Sequence, residues 1–520
     1  MSPTTITFLV LAATVAVFVW DRIPVAIVAL GVALSLWATD VLELEQSLAG
    51  FGDPTVIFIA SLFVVSEGLD AAGVTSWAGQ ELVARVGESR TRLVVFTMLL
   101  VALLTALISI NGAVAALVPV AVVTAVRLGR SPSQLLMPLA FGAHAGSLLA
   151  LTGTPVNVIV SDAAEEAGVG RFGFFEFALV GVPLVAGTIA IVVLFGERLL
   201  PHRTVKALPP DFGDHARTLI EQYALDGLEE PLLTRRSGVA EVVVPPRSAL
   251  VGQSAFPGMV TDSGDLVVLA VQRKGEDLGP EETVLAVGDT LLLQGTWGAL
   301  DEHLDDPDVL VVHAPERVRR AVPLGPGAKR ALGVLAGMVI LLATGAVPTA
   351  VAGLLAAGAM VLLGVLSVDG AYRGISWTTV VLVGGMISLS TAMSETGAAE
   401  QLADGLVRAV GDLGPHALLL GLFLLTAILG QLISNMATAL IVIPVAISAA
   451  AEMDVSAKPV LMAVTVSAAA AFLTPVATPA NLMVMGPGGY RFGDYWKLGL
   501  PLLAFFGVVA VLLVPVFWSF

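Results

Sequence analysis

Long apolar segments, several of them close to the length that spans a bilayer, constrain the fold of this chain more than any other feature. A helix needs roughly 20 apolar residues to cross the hydrocarbon core. The segments that approach this length are Thr4–Trp20, Pro24–Ala38, Pro54–Gly68, Phe174–Phe195, Ala331–Ala346 and Trp496–Phe517. Only 13% of the residues are charged, against about 25% in soluble domains. The sequence therefore predicts an all-α polytopic membrane protein embedded in a lipid bilayer, with the first segment as a retained helix.

The chain divides into a first transmembrane half at 1–200, an insert at 201–327 and a second transmembrane half at 328–520. In the insert, β-branched apolar runs at Val239–Val244, Leu266–Val271 and Thr290–Leu293 are bounded by Gly, Pro and Asp, a pattern typical of short strands. We predict a small α/β domain there. Residues 211–317 hold 20 of the 42 acidic side chains and only 7 basic ones. The formal net charge of −16 therefore says little about what the membrane halves bind.

The two transmembrane halves repeat each other at a constant offset along the chain, which we call the repeat offset. It pairs Gly73 with Gly397, Gly87 with Gly411, Asn111 with Asn435, and Thr154-Pro155-x-Asn157 with Thr478-Pro479-x-Asn481. Farther on the offset falls, and it pairs Arg171-Phe172-Gly173 with Arg491-Phe492-Gly493 and Gly181 with Gly499. An ordered series of this kind predicts an internal duplication.

Positive charge predicts the orientation of the halves. Cations such as Arg90, Arg198 and Arg330 fall on one face, whereas opposite loops such as Asp40–Glu45 are acidic. With the cationic face cytoplasmic, Arg92–Val126 and Pro415–Ala451 must each be re-entrant hairpins, entering from opposite sides. Each half then crosses the bilayer an odd number of times, about five, which gives two inverted repeats. The predicted location is the inner (plasma) membrane, with the inserted α/β domain in the cytoplasm.

Four polar clusters containing Gly, Pro, Ser or Asn break the apolar helices. They are Ser109–Gly112, Leu151–Asn157, Ser434–Thr438 and Leu473–Asn481. Irregular backbone at membrane depth is tolerated only where it is buried in protein or lines a cavity, so the breaks indicate a binding site. Broken helix ends offer carbonyl oxygens to a cation and N–H groups to an anion, and no Lys or Arg lies near any break. The alternative is that these polar residues only join helices by hydrogen bonds.

His144 lies in the apolar stretch before the break at Leu151–Asn157. It is a candidate proton relay, although a lone histidine of this kind is more often a packed hydrogen-bonding residue. The chain has no cysteine, which excludes disulfides, thiol nucleophiles and thiolate metal sites. Because no nucleophile–base constellation or metal motif accompanies the breaks, we do not expect an enzyme.

The segments Ser434–Thr438, Ile443-Pro444 and Ala477–Asn481 resemble the divalent anion/sodium symporter family (solute carrier family thirteen and its bacterial relatives). The resemblance covers both membrane halves. It implies a homodimer in which a transport subdomain moves against a scaffold subdomain as an elevator. It also implies Na⁺-coupled uptake of a small anionic substrate, either sulfate or a di- or tricarboxylate. In that family a Ser-Asn-Thr triplet at each hairpin tip holds Na⁺ and the anion.

Carried across to this chain, the resemblance implies two overlapping groups of site residues. The substrate-binding group is Asn111, Gly112, Thr154, Asn157, Ser434, Asn435, Met436, Thr438, Thr478, Pro479 and Asn481. The sodium-binding group is Ser109, Asn111, Thr152, Gly153, Ser434, Asn435, Thr474 and Ala477. The tips read Ile110-Asn111-Gly112 and Ser434-Asn435-Met436 and so lack both threonines of the triplets, which slightly favours sulfate over a dicarboxylate.

The insert, at about 237–312, resembles the RCK C-terminal domain of Trk-type potassium uptake regulators. The matching segments are Gly238–Val244, Leu250–Ser254, Val271–Arg273 and Val287–Gly295. Such domains often dimerise and bind small molecules, which implies an unknown small regulatory ligand. A G-x-G-x-x-G fingerprint is absent from the insert, so we predict no NAD, no organic cofactor and no nucleic-acid partner.

Two rival functions stay open, a ligand-gated ion channel and a transporter of another anion or a metalloid such as arsenite. No segment resembles the T-V-G-Y-G filter of potassium channels. Symmetric broken helices favour alternating access instead.

Overall fold

The structure is a computed structural model that describes most of the chain. The described residues are 1–20, 22–75, 77–78, 89–127, 130–201, 203, 237–261, 263–274, 276–279, 281–304, 308–312, 325, 327–410 and 413–520. The predicted pairing of Gly87 with Gly411 lies outside them.

The regular secondary structure in the described part of the first half is all helical, as its apolar composition predicts. Its helices are α1 (Pro3–Trp20), α2 (Val25–Ala38), α3 (Leu44–Ala49), α4 (Pro54–Ala71), α5 (Arg90–Leu107), α6 (Ile110–Arg127), α7 (Leu136–Gly146), α8 (Pro155–Glu166) and α9 (Ala178–Leu199). Proline stands at the first position of α4 and α8, where its missing N–H costs no helical hydrogen bond. The predicted span that begins at Phe174 starts late, at Ala178, because a turn precedes α9.

The insert contains the predicted strands. Its elements are β1 (Ser237–Val243), β2 (Ser254–Ala255), β3 (Leu266–Arg273), β4 (Glu276–Asp277), β5 (Thr283–Val284), β6 (Thr290–Thr296), α10 (Trp297–His303) and β7 (Leu310–Val311). Five strands form an antiparallel sheet in the order β4-β3-β6-β1-β7, and β2 pairs with β5. Val242, Leu291 and Leu300 belong to a hydrophobic core of its own. The small α/β unit is thus confirmed, and its likeness to an RCK domain stays a prediction.

One ion pair fixes the turn before β6 to the end of β3. Arg273 Nε and Nη2 donate to the two carboxylate oxygens of Asp289 at 2.7 Å each, and the Ala286 N–H donates to the same carboxylate at 2.8 Å. Burial by itself would raise the pKa of Asp289, but these hydrogen bonds and the charge of Arg273 hold that pKa below its usual value.

The second half repeats the first. Its helices are α11 (Ala328–Thr344), α12 (Thr349–Leu362), α13 (Val368–Gly374), α14 (Trp377–Glu395), α15 (Ala398–Val410), α16 (Pro415–Leu432), α17 (Asn435–Glu452), α18 (Ala457–Ala469), α19 (Pro479–Gly488), α20 (Tyr495–Val508) and α21 (Val514–Phe517). Helices α2 and α12 both have 14 residues, and their first residues are related by the repeat offset. Gly73 and Gly397 both adopt the left-handed conformation, with φ of 70° and 74°. Within the described residues, eight helical segments are long and apolar enough to cross a membrane.

The hairpins correct one sequence pairing. The first residues of α5 and α6 are separated from those of α16 and α17 by one residue more than the repeat offset. The same longer separation relates the capping serines Ser109 and Ser434, and the internal prolines Pro119 and Pro444. Asn435 is therefore the counterpart of Ile110, and Asn111 is the counterpart of Met436. The predicted pairing of the two asparagines is wrong by one residue because the segment before the second hairpin is one residue longer.

The halves pack on each other through crossed pairs, α2 on α14 and α12 on α4. Small residues make these contacts close. A methyl group at Gly385 would come within 2.6 Å of the Ala29 carbonyl oxygen, and one at Gly353 would come within 2.7 Å of the Phe58 ring. Contact between backbones through small residues is the usual means of helix association in membranes.

A second close contact recurs in both halves and generates a stability prediction. An added methyl group at Gly181 would overlap the Leu148 carbonyl oxygen, and one at Gly499 would overlap the Phe472 carbonyl oxygen. Gly181→Ala and Gly499→Ala should each lower the melting temperature of the purified protein in a fixed detergent, because overpacking typically costs about 1–3 kcal/mol. The control is Gly333→Ala in α11, which meets no heavy atom within 4 Å. Melting of all three variants at the wild-type temperature would contradict this packing.

Candidate functional site

The four chain breaks belong to one cluster of helices drawn from both halves. Each break ends one helix and begins the next: α5 to α6, α7 to α8, α16 to α17, and α18 to α19. Across the halves, α19 packs on α6 and α7, and α8 packs on α17 and α18. The cluster therefore gathers four helix N-termini and four helix C-termini.

A serine caps the helix that follows each hairpin tip. Ser109 Oγ accepts from the Gly112 N–H at 3.2 Å, and Ser434 Oγ accepts from the Ala437 N–H at 3.3 Å. Serine is a favoured N-cap because its hydroxyl satisfies a backbone donor that has no partner within the helix. Both tips are thereby turned into ordered helix starts.

Two asparagines hold the other two breaks in the same way. Asn157 Nδ2 donates to the carbonyls of Ser147 and Ala150, at 2.9 Å each. Asn481 Nδ2 donates to the corresponding carbonyls of Ala471 and Thr474, at 2.7 and 3.1 Å. Both asparagines are fully buried. We call each arrangement an asparagine clamp. The clamps satisfy carbonyls that the broken helices leave free.

Each hairpin is tied to the break of its own half. In the first half, Thr152 Oγ1 donates to the Ala106 carbonyl at 2.9 Å. In the second half, Gln431 accepts from the Leu473 N–H at 3.0 Å and donates to the Ala470 carbonyl at 3.4 Å. Gln431 is a site residue that was not predicted from the sequence, although a lone amide in the last turn of the apolar helix α16 is a recognisable signal.

His144 joins the two halves at the breaks. Its Nε2 lies 3.2 Å from Asn481 Oδ1 and 3.1 Å from Thr478 Oγ1. A second link lies nearby, where the Met137 N–H donates to the Tyr490 hydroxyl at 2.8 Å. The first half therefore contacts the break at Leu473–Asn481 directly, and we call this segment the second-half break.

Several oxygens of the cluster are buried and have no hydrogen-bond partner within the described residues. They are Asn157 Oδ1, Asn435 Oδ1, Thr438 Oγ1 and Thr474 Oγ1. Burying a polar atom without a partner costs about 1–3 kcal/mol, and such an exception calls for a reason such as a bound ion or water. Oxygen atoms of this kind suit a hard cation. Among the described residues, no group of three or more His, Asp and Glu side chains could hold a metal ion.

The predicted site residues differ in their burial. Buried positions are His144, Thr152, Gly153, Asn157, Thr438, Ala477, Thr478 and Asn481. Half-buried positions are Ser109, Gly112, Thr154, Ser434, Asn435, Met436 and Thr474. Asn111 and Pro479 are exposed. The amide nitrogens of Asn157 and Asn481 are committed to the clamps, which leaves only their oxygens for other partners.

A polar cluster at the C-terminal end of α8 was not expected from the sequence. Asp162 accepts from the hydroxyl of Thr55 and pairs with Arg171 Nη2 at 3.1 Å. Arg171 Nη1 also donates to Thr349 Oγ1 at 3.2 Å. The cluster thus connects α8 with the first turns of α4 and α12, elements far away in the sequence.

Comparison with known proteins shows which family shares this architecture. A family model described as citrate transporter matches residues 15–454 and 339–520. The chain belongs to the citrate transporter family. Membership confirms the predicted resemblance to divalent anion/sodium symporters, and it makes this chain a membrane transporter and not an enzyme.

Three proteins illustrate the relationship. The uncharacterized transporter YfbS of Escherichia coli K12 is 30% identical over 98% of either chain. Sodium/sulfate cotransporter 2 of Chlamydomonas reinhardtii is 26% identical over 56% of this transporter and 34% of that protein. The crystal structure of the Alcanivorax borkumensis YdaH transporter covers 97% of this chain and 98% of that chain, with a TM-score of 0.51 and 16% identity. The last likeness shows a shared fold.

The asparagine clamps generate a prediction about the stability of this transporter. Asn157→Ala and Asn481→Ala each free two buried carbonyls, and each unpaired group costs about 1–3 kcal/mol. Both variants should therefore melt below the wild type after purification in the same detergent, in buffer without sodium. Asn435→Ala is the matched control, since Asn435 Oδ1 has no partner to lose within the described residues. The clamps would be refuted if Asn435→Ala melted as low as Asn157→Ala and Asn481→Ala.

Proposed function

We propose that this transporter is a sodium-coupled symporter of a divalent anion, either sulfate or a di- or tricarboxylate. It works by elevator-type alternating access as a homodimer. The insert is a cytoplasmic regulatory domain that responds to a small ligand.

The meeting of four helix N-termini in one cluster carries this proposal. Helices α6, α8, α17 and α19 all begin at breaks, and no Lys or Arg lies near those breaks. Helix N-termini bear partial positive charge and free N–H groups, which favour an anion. These helix ends meet the charge of the substrate, since the four break segments themselves contain no Lys or Arg.

Bound sodium ions compensate the part of the negative charge of the substrate that the helix N-termini leave. A charge at the membrane midplane costs on the order of 3 kcal/mol or more, and a bound cation beside the anion offsets it. Asn435 Oδ1, Thr438 Oγ1 and Thr474 Oγ1 are buried acceptors without partners among the described residues. Together with the carbonyls at the C-terminal ends of α16 and α18, they form the second sodium site. The first lies at Ser109, Asn111, Thr152 and Gly153.

The packing supports an elevator. The hairpins and the broken helices of both halves are joined by Thr152, Gln431, His144 and the cross-half contacts. Helices α2, α4, α12 and α14 pack on one another. The first group is the transport subdomain and the second group belongs to the scaffold.

The names of the relatives leave two substrate classes, since the family is described as citrate transporter and one relative as a sodium/sulfate cotransporter. On the corrected register, Met436 and its counterpart Asn111 stand where the resemblance to the symporter family places threonine, which favours sulfate. Uptake of radiolabelled sulfate, succinate and citrate into proteoliposomes, with a sodium gradient or with choline in its place, tests the proposal. We expect sodium-dependent uptake of one of them, sulfate first; equal uptake in choline would refute sodium coupling.

The oxygens without partners generate a prediction about sodium affinity. Asn435→Ala, Thr438→Val and Thr474→Val each remove one acceptor. Loss of one ligand, worth about 1.4 kcal/mol, should raise the half-saturating sodium concentration on the order of tenfold. Thr426→Val is the control, because the Thr426 hydroxyl donates to the Leu422 carbonyl of its own helix. Unchanged sodium dependence in all three site variants would refute this sodium site.

The insert generates a separate prediction. Replacing 237–312 with a short flexible linker should leave a folded transporter with the same substrate, because all four breaks lie in the membrane halves. The rate of uptake or its regulation should change. A deletion variant that transported a different anion would contradict this assignment.

A further inference from the structure

His144 has a hydrogen-bonding arrangement that fixes its proton. The ring is fully buried and packs edge-on against Phe472, with centroids 5.9 Å apart. Its Nε2 contacts Asn481 Oδ1 and Thr478 Oγ1. Both partners belong to the second-half break.

The asparagine clamp determines which nitrogen of His144 carries hydrogen. Asn481 Nδ2 donates to two backbone carbonyls, and carbonyls only accept, so the orientation of the amide is set. Asn481 Oδ1 therefore faces His144 and needs a donor. The network thus assigns the proton to His144 Nε2.

The other ring nitrogen has no partner. His144 Nδ1 is buried without a hydrogen bond among the described residues. A second proton there would place an imidazolium in the cluster with nothing to accept its hydrogen, which is costly for a buried charge. Among the described residues, Tyr495 is an ionisable group that shares Asn481 with His144, and its hydroxyl donates to the Asn481 carbonyl at 2.6 Å. Proton relay would need partners on both sides of the ring.

The first half lacks this donor. The repeat offset, which relates Asn157 to Asn481, places Ala468 at the position that corresponds to His144. The clamp of the first half leaves Asn157 Oδ1 buried without a partner among the described residues. The repeat therefore folds without a histidine at this place. His144 serves the break at Leu473–Asn481 specifically, where its partner Asn481 holds the Thr474 carbonyl.

We propose that His144 is a neutral positioning residue that holds the second-half break in its sodium-binding shape, and that transport is not coupled to protonation of its ring. This inference rests on the proposed function. Its effect on sodium passes through Asn481 and Thr478, since the ring itself has no free donor to offer a substrate.

Two variants of the full-length transporter test the role. His144→Gln keeps an N–H donor that reaches Asn481 Oδ1, and His144→Leu removes it. The assays are uptake of radiolabelled sulfate, or of citrate if the wild type prefers it, across about pH 5 to 8, where histidine titrates, and sodium-dependent thermal stabilisation of the purified protein. His144→Gln should keep the sodium dependence and the pH profile of the wild type. His144→Leu should need on the order of tenfold more sodium, the equivalent of one lost hydrogen bond.

Two results would overturn the proposal. Loss of uptake or an altered pH profile in a folded His144→Gln protein would identify a relay. Wild-type sodium dependence in His144→Leu would remove the positioning role. If His144→Leu does not fold, His144→Asn, whose shorter amide does not reach Asn481, takes its place with the same expectation. Absence of sodium stabilisation in the wild type would refute the proposed sodium coupling instead, and the pH profile of His144→Gln would still decide whether the ring relays protons.

Discussion

The need to satisfy backbone polar groups inside a membrane governs this structure. Broken helices expose carbonyls and N–H groups that lipid cannot solvate, yet a site built from helix ends requires such breaks. The asparagine clamps resolve this conflict, since each amide nitrogen binds two carbonyls of the broken segment. Serine caps do the same for the hairpin tips. The N–H groups and carbonyls that these bonds leave free at the helix ends are the groups that could bind an ion.

The backbone arrangement of the cluster follows the internal symmetry of the chain, whereas several of its polar side chains depart from that symmetry. The clamps coincide in the two halves, but the tips do not, because the hairpins are displaced by one further residue. Asn435 begins its helix directly after the capping serine, whereas Asn111 stands one position later and is exposed. His144 occurs on one side only. The second half is therefore the more elaborated of the two, with a donor from the first half at Asn481 and three oxygens without partners among the described residues at its hairpin tip and its other break.

Charged residues are distributed unevenly between the insert and the broken-helix cluster. Nearly half of the acidic residues fall in the segment around the insert, where Arg273 and Asp289 pair near the surface. The broken-helix cluster relies on neutral dipoles, so under the proposed function the bound anion and its cations would set the local charge. A neutral site of this kind avoids the cost of a permanent charge at the midplane when it is empty.

The sequence by itself determined the spans, the duplication, the four breaks and the strands of the insert, because apolar length, recurring motifs and β-branched runs between turn residues can be read directly from the order of the residues. It did not give the register of the hairpins. The repeat offset holds both before and after each hairpin, so it does not reveal the one extra residue before α16. The tertiary structure alone decided that His144 meets Asn481, that Gln431 meets the Ala470 carbonyl and that Asp162 meets Thr55, residues that lie 39 to 337 positions apart in each pair. It also showed which oxygens lack a partner. A side chain's polar partner depends on which helices meet, and that is a property of long-range packing and not of any segment of the sequence.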